Sequence, residues 1–234
     1  MSAITVWHIP ACPFCQRLEV LLERKGVRGA VRFEAIDVTK PRPDWLLAKT
    51  GGSTSLPILE EEQGRVLKES LVLLRYLDAR FGERVARADP YEAAVEDMLI
   101  AKEGPFVVAG YQFVRNLDPN ARPALEKAML DRYAELGAFL TTHGSTTSPF
   151  LFDTFGLAEV VFTPMFQRFW FLEYYEGFDL PSEPRFERVR AWRDACVAHP
   201  AARQTSKEEV VKLYYDYAKG VGNGGLLAGR ARSS

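Results

Sequence analysis

The chain has 234 residues, 47% of them hydrophobic, which suffices for one large domain or two small ones, each with its own core. Thirty basic and 31 acidic residues leave a formal net charge of -1, which removes the electrostatic case for binding nucleic acid or an anionic membrane. No apolar run approaches the roughly 18 residues of a membrane helix, the opening MSAITVWHI lacks the segments of a signal peptide, and three cysteines are too few for a disulfide scaffold, so the expected compartment is the cytoplasm.

Ile4 to Ile9 is β-branched and aromatic and predicts a buried strand, broken by Pro10. From Cys12, the run CPFCQRLEVLLERKG places Phe14, Leu18, Leu21 and Leu22 at helical spacing, and Gly26 ends it. Val31 to Val38 predicts a second strand, parallel to the first because a helix intervenes. A short helix at Trp45–Leu47 closes at Thr50-Gly51-Gly52. Leu56–Leu59 and Arg65–Leu67 read as a hairpin turning at Gly64, and SLVLLRYLDARFG predicts a helix from Ser70 to Gly82. The order βαβαββα over residues 1–82 is that of a thioredoxin-like domain.

Residues 83–89 are a polar linker, and residues 90–234 predict an all-helical domain. Its segments are Tyr91–Arg115 with a kink at Gly104-Pro105, Ala121–Leu140, Leu157–Tyr175, Glu183–Ala198 and Ser206–Lys219. A Gly-rich tail, GVGNGGLLAGRARSS, follows as a loose segment or a docked arm.

The chemistry concentrates where the first strand meets the first helix. A thiol acts as its thiolate, and a helix N-terminus lowers its pKa. Cys12 stands at that terminus and Pro13 takes the first helical position, which suits a residue without an N–H. The free N–H groups of Phe14 and Cys15 then point back at the Cys12 sulfur. Cys15 lies one turn deeper, so its thiol should be less exposed and less ionised. The alternatives are two buried cysteines acting as small apolar residues, or a metal site. Zinc needs about four ligands, and Cys196, His8, His143 and His199 show no paired spacing, so no metal is expected.

Two further features bear on a ligand. Leu56-Pro57 opens the third strand, either as a cis bond that turns the Leu56 backbone toward an extended peptide or as an ordinary edge-strand proline. Glu69-Ser70 opens a helix. Ser70 is either a cap alone or part of a carboxylate site, with Glu69 suited to an amine. An amine and a carboxylate on one ligand describe a γ-glutamyl head.

These motifs, ACPFC, SLPIL, KESLVLLRYLD and ERVRAWRDACVAHPA, resemble the glutathione transferase superfamily over nearly the whole chain, and a cysteine at the first junction resembles its omega and lambda branch. The runs KPRPDWLLAKTGGSTSLPIL, FTPMFQRFWFLEYYE and KLYYDYAKGVGNG are similar to the bacterial glutathione lyases of lignin β-aryl-ether degradation. The resemblance implies an enzyme with glutathione as co-substrate, a small aromatic glutathione conjugate as partner, and a homodimer by analogy. It implies Cys12 as the nucleophile that takes the glutathione sulfur from an α-glutathionyl aryl ketone. It further implies Pro13, Phe14, Arg42, Leu56, Pro57, Glu69 and Ser70 as glutathione-binding residues.

The same analogy puts an aromatic substrate between the domains. Its expected walls are Tyr111, Phe166, Trp170 and Tyr174, and Tyr214 and Tyr217 are the expected phenols on the ketone oxygen. For any single aromatic, plain core is the competing reading.

Two departures stand out. The lyase pattern has serine where this chain has Cys15, which opens a dithiol route and the alternative activity of a general omega-like thioltransferase or dehydroascorbate reductase. Where the superfamily begins its central helix with a Ser/Thr-x-x-Asp capping box, this chain reads Gly156-Leu-Ala-Glu159; glycine gives only part of that cap, so local stability is either lost or supplied otherwise. A third reading is a transferase-like binding module without catalysis.

Overall fold

The computed structural model describes residues 4–10, 12–37, 40–116 and 118–218, except for the side chains of 214–218. Strand β1 (Ile4–His8) is central in a four-stranded sheet of order β2-β1-β3-β4. It pairs in parallel with β2 (Arg32–Ala35), Val6 opposite Phe33, and antiparallel with β3 (Ile58–Glu61), Val6 opposite Leu59. The parallel pair needs a crossover, which helix α1 (Pro13–Arg24) provides. The hairpin from β3 to β4 (Val66–Leu67) turns at Gly64, whose φ of 76° is left-handed and suits glycine.

Alternation along β1 separates the two faces of the sheet. Ile4 and Val6 join Leu18, Leu21 and Leu22 of α1 and Leu73, Leu74 and Leu77 of helix α3 (Ser70–Arg80) in the main core. On the other face, Ile36, Leu46 and Ile58 form a small cluster under α2 (Asp44–Thr50), with Trp7 and Leu56 packed against it. The stretch after α3 is fastened down. The buried Asp78 carboxylate accepts from the backbone N–H groups of Val85 and Ala86 at 2.8 and 3.1 Å and from Lys25 Nζ at 2.7 Å.

Beyond it the chain is helical: α4 (Pro90–Ile100), α5 (Glu103–Arg115), α6 (Arg122–His143), α7 (Leu157–Arg168), α8 (Trp170–Glu176), α9 (Pro184–Ala198) and α10 (Lys207–Ala218). This is a thioredoxin-like sheet domain with a small mixed sheet, followed by a helical domain.

Two expected helices are divided. Tyr91–Arg115 is two helices broken at Ala101–Lys102, just ahead of the expected kink. Pro105 has no N–H to donate to the Ala101 carbonyl, and its ring would collide with that carbonyl in a continuous helix. Leu157–Tyr175 is divided at Phe169, whose φ and ψ of -75° and 1° leave the helical range. The second strand is also shorter than expected, ending at Ala35. The Gly-rich tail lies outside the described residues.

Every residue of α7 is buried, and the core around it is aromatic. The Phe106 ring lies 5.0 Å from Tyr133, 5.1 Å from Phe169 and 5.7 Å from both Phe162 and Phe166, while Trp192 lies 5.1 Å from Phe162. Gly110 on α5 makes room for Phe169, since a Cβ there would stand 2.1 Å from its ring. Gly110→Ala is therefore expected to lower the urea midpoint. Alanine gains about 1 kcal/mol of helix propensity, but overpacking costs about 1–3 kcal/mol and a ring so enclosed cannot step aside.

The missing part of the α7 cap comes from another helix. Glu159, fully buried, accepts from the Gly156 N–H at 2.8 Å and supplies the local half. Glu96 on α4 supplies the other half, accepting from the N–H groups of Leu157 and Ala158 at 2.8 and 3.3 Å. A Cβ at position 156 would stand 2.5 Å from the Glu96 carboxylate, so glycine is what admits it. Burial, with Glu159 close by, pushes the Glu96 carboxyl up to about 7.

Candidate functional site

The site begins at the β1–α1 junction. Cys12 is the N-cap residue of α1, in extended conformation (φ -79°, ψ 123°), and its carbonyl accepts from the N–H groups of Cys15 and Gln16 at 3.1 and 2.9 Å. Pro13 follows at the first helical position. Cys12 is half-buried and Cys15 is fully buried, and both are free thiols.

Their electrostatics diverge. The Cys12 thiol is lowered to about 7, first by a hydrogen bond from the Cys15 side chain and then by the backbone N–H groups of Cys15 and Phe14; burial opposes this. These N–H groups act on the sulfur through their dipoles, since Cys12 makes no geometric capping hydrogen bond with its side chain. The guanidinium of Arg168, buried on α7, adds positive charge. Cys15 moves the opposite way, its pKa raised by burial and by its neighbour Cys12. The two thiols therefore differ: Cys12 ionises near neutral pH, and Cys15 stays a neutral S–H donor to it.

A cavity of about 420 Å³ adjoins this junction. Phe14, Leu56, Pro57, Glu69 and Ser70 line it, so the structure brings these five sequence-derived candidates together. The Leu56-Pro57 peptide bond is cis, and β3 begins directly after it. Glu69 is the N-cap of α3 with φ 68°, the one non-glycine residue with positive φ among the described residues. Such a backbone is strained and is retained where its surroundings impose it.

Arg42 does not line this cavity. Its Nε donates to the Thr54 carbonyl at 3.2 Å, in the loop leading to Leu56, and its buried Nη1 has no partner among the described residues.

The cavity also contains residues that the sequence reading missed: Arg17, Ser53, Ser55, Lys68, Leu71 and Glu103. Lys68 is held by the Thr50 carbonyl at 2.8 Å. Arg17 carried a usable signal, because it interrupts the apolar helical face of Phe14, Leu18 and Leu21 three residues after Phe14. Glu103 comes from α5 in the helical half and carried none.

The expected aromatic walls are not brought to this cavity. Phe166 is corrected outright. It is 2% exposed and belongs to the aromatic core, with its ring 5.2 Å from Trp192 and 5.7 Å from Phe106. Tyr111 lines a separate cleft with Val108, Gln112, Arg115, Asn116 and Leu125. Trp170 is half-buried against the main core, and Tyr174 is exposed on α8, edge-on to Tyr175. Tyr214 and Tyr217 fall within α10, but their side chains lie outside the described residues. Among the described residues no group of three or more His, Cys, Asp or Glu side chains could hold a metal ion, and no helix is long and apolar enough to cross a membrane.

Comparison with known proteins agrees with this construction. Residues 6–85 match the family described as Glutathione S-transferase, N-terminal domain, and residues 120–195 match Glutathione S-transferase, C-terminal domain. Glutathione S-transferase omega-1 of Sus scrofa is 28% identical over 203 residues, covering 85% of this chain and 78% of that protein. Glutathione S-transferase L2, chloroplastic, of Arabidopsis thaliana is 30% identical over 163 residues, covering 68% of this chain and 51% of that protein. Among solved structures, the trimeric glutathione transferase TDR1 of Leishmania superposes with a TM-score of 0.78 at 23% identity. That match covers 91% of this chain but only 47% of the other, so this chain spans about half of that protein. From the two domain matches, the relatives and the sheet-plus-helices architecture together, the chain belongs to the glutathione transferase superfamily, with homologues in its omega and lambda classes.

Proposed function

We propose that the protein is a glutathione-dependent thioether lyase in which Cys12 removes glutathione from an α-glutathionyl aryl ketone. The observation that carries this reading is the half-buried Cys12, its pKa lowered to about 7, at the start of α1; Cys12 and Pro13 do not themselves line the 420 Å³ cavity, but Phe14, two residues after the thiol, does. At that value about half of the thiol is ionised near neutral pH, so a soft nucleophile is available without a separate base. The lyase-like sequence runs support the choice of substrate.

In this mechanism the Cys12 thiolate attacks the glutathione sulfur. A sulfur–sulfur bond forms, and the electron pair of the carbon–sulfur bond leaves on carbon as an enolate delocalised into the ketone. Protonation gives the ketone. A second glutathione thiolate attacks the mixed disulfide, returns Cys12 as thiolate and departs as oxidised glutathione. Around the nucleophile, Leu56 pairs with the cysteinyl backbone, and Glu69 and Ser70 take the γ-glutamyl head. Lys68, on the cavity wall, suits the glycine carboxylate.

Incubation with α-glutathionyl acetophenone and glutathione is expected to release acetophenone and oxidised glutathione in equal amounts. No ketone release overturns the reading. One observation favours a second activity: Cys15 lies one turn behind Cys12, so a thioltransferase or dehydroascorbate reductase cycle has a second thiol at hand. Turnover of a mixed disulfide or of dehydroascorbate in the absence of ketone release would select that reading.

A further inference from the structure

Three glutamines meet where α1 packs against the end of α7. Gln16 and Gln167 are each 1% exposed. Gln16 Nε2 donates to Gln167 Oε1 at 2.6 Å and makes a longer contact of 3.5 Å with Gln204 Oε1. Gln167 Nε2 donates to the Ala202 carbonyl at 2.6 Å, and Gln204 Nε2 to the Ala201 carbonyl at 2.5 Å. Gln16 Oε1 is also buried and has no donor among the described residues. A buried network with a member left unpaired stabilises less than an apolar contact of the same shape. What amides supply and methylenes do not is direction, because a short hydrogen bond holds only at one register and a narrow range of angles.

The register fixed here is that of the nucleophile. Gln16 lies in the first turn of α1, and its backbone N–H donates to the Cys12 carbonyl at 2.9 Å. Across the side-chain bond, Gln167 is followed by Arg168, the last residue of α7, whose buried guanidinium adds positive charge at the Cys12 sulfur. The bond from Gln167 to Ala202 ties the same point to the turn after α9. The sulfur thus comes from the sheet domain and the cation from the helical one, and their separation is set by how the two halves are clamped. A charge interaction weakens with distance and with hydration of the gap. Two short bonds at one glutamine, next in sequence to the cation, keep that separation constant.

We infer that Gln167 is a positioning residue: by clamping Gln16 to the end of α7 it holds Arg168 of the helical half at the Cys12 sulfur. The reactivity of the nucleophile then depends on the register between the two domains, although neither glutamine lines the cavity. This inference rests on Cys12 as the working thiolate, which both activities proposed above require.

The test is the pH dependence of Cys12 alkylation by iodoacetamide, measured on the full chain beside thermal unfolding. Gln167→Met should raise the inflection by about half a pH unit or more, a loss of about threefold or more in rate at any pH below it. Arg168→Met should raise it as well, and the two substitutions together should raise it by no more than the larger single shift, because one residue acts through the other. Gln16→Met combined with Gln167→Met replaces both amides by apolar groups of similar length. That variant should regain stability relative to Gln167→Met alone while keeping the raised inflection, and it carries the test if Gln167→Met does not fold. An unchanged inflection with only the melting temperature lowered overturns the inference by showing a purely structural role. Additive shifts from Gln167→Met and Arg168→Met overturn it by showing that the two act independently. A wild-type inflection at the ordinary thiol value of about 8.5 overturns the reading of Cys12 itself, on which the clamp rests.

Discussion

Cys12→Ser is expected to abolish the mixed disulfide with glutathione and to lower turnover by about 1,000-fold or more. A hydroxyl is not ionised near neutral pH, and the dipoles and buried Arg168 that favour a sulfur anion at position 12 cannot create a comparable nucleophile from serine. Intact mass after treatment with oxidised glutathione is the direct readout. Wild type should gain one glutathionyl group and Cys12→Ser none; an adduct persisting in the variant would move the nucleophile elsewhere. The pH profile supplies the second readout. With the Cys12 thiol at about 7, the alkylation rate should fall about tenfold for each pH unit below that value and level off above it. Cys15→Ala should move the inflection upward, because the Cys15 S–H is the largest single contributor to the low value. Cys15→Ser keeps a donor and should stay closer to wild type, while loss of all turnover in Cys15→Ser would instead make the second thiol a reactant.

The largest effect on stability is expected at Glu159. Its carboxylate is fully buried and accepts three hydrogen bonds at 2.8 Å: from the Leu151 N–H, the Gly156 N–H and Trp192 Nε1. It thereby ties the start of α7, the loop before it and the indole of α9 to one point. Glu159→Ala leaves three buried donors without an acceptor, at about 1–3 kcal/mol each when not rescued by water. Partial relaxation brings the expected total to about 3–5 kcal/mol. For a chain of this size, that lowers the melting temperature by roughly 6–20 °C. Thermal unfolding followed by circular dichroism measures it, and a loss below about 1 kcal/mol would show that the network is dispensable.

Much of the sheet domain was legible because its signals are local. Pro10, Gly26, Gly64 and Ser70 mark ends of elements, and apolar periodicity fills the spans between them. The junction holding Cys12, Phe14 and Cys15 could be read for the same reason, since a strand, a CPFC run and a helix follow one another without interruption. What escaped depends on distance. Arg17 and Glu103 are 86 residues apart in sequence and meet only in the folded chain. Phe166 was misplaced because spacing shows that it shares a helix face with its neighbours but not whether that face meets a cleft or Phe106 and Trp192. The break ahead of Gly104 is intermediate: Pro105 announced a disturbance, while its place four residues upstream follows from the carbonyl it obstructs.

The borrowed cap of α7 also has a bearing on how this sequence can change. Gly156 and Glu96 are complementary, one giving the space and the other the acceptor, and they come from helices whose contact closes a loop of about sixty residues. A serine introduced at 156 brings back the local cap but collides with the resident carboxylate, and a smaller residue at 96 opens the space but leaves two N–H groups bare. Each step alone is a loss, while both together restore a self-contained helix start. The two positions therefore form a linked pair in sequence space, and a lineage moving between the borrowed and the local cap must cross a less stable intermediate or change both at once.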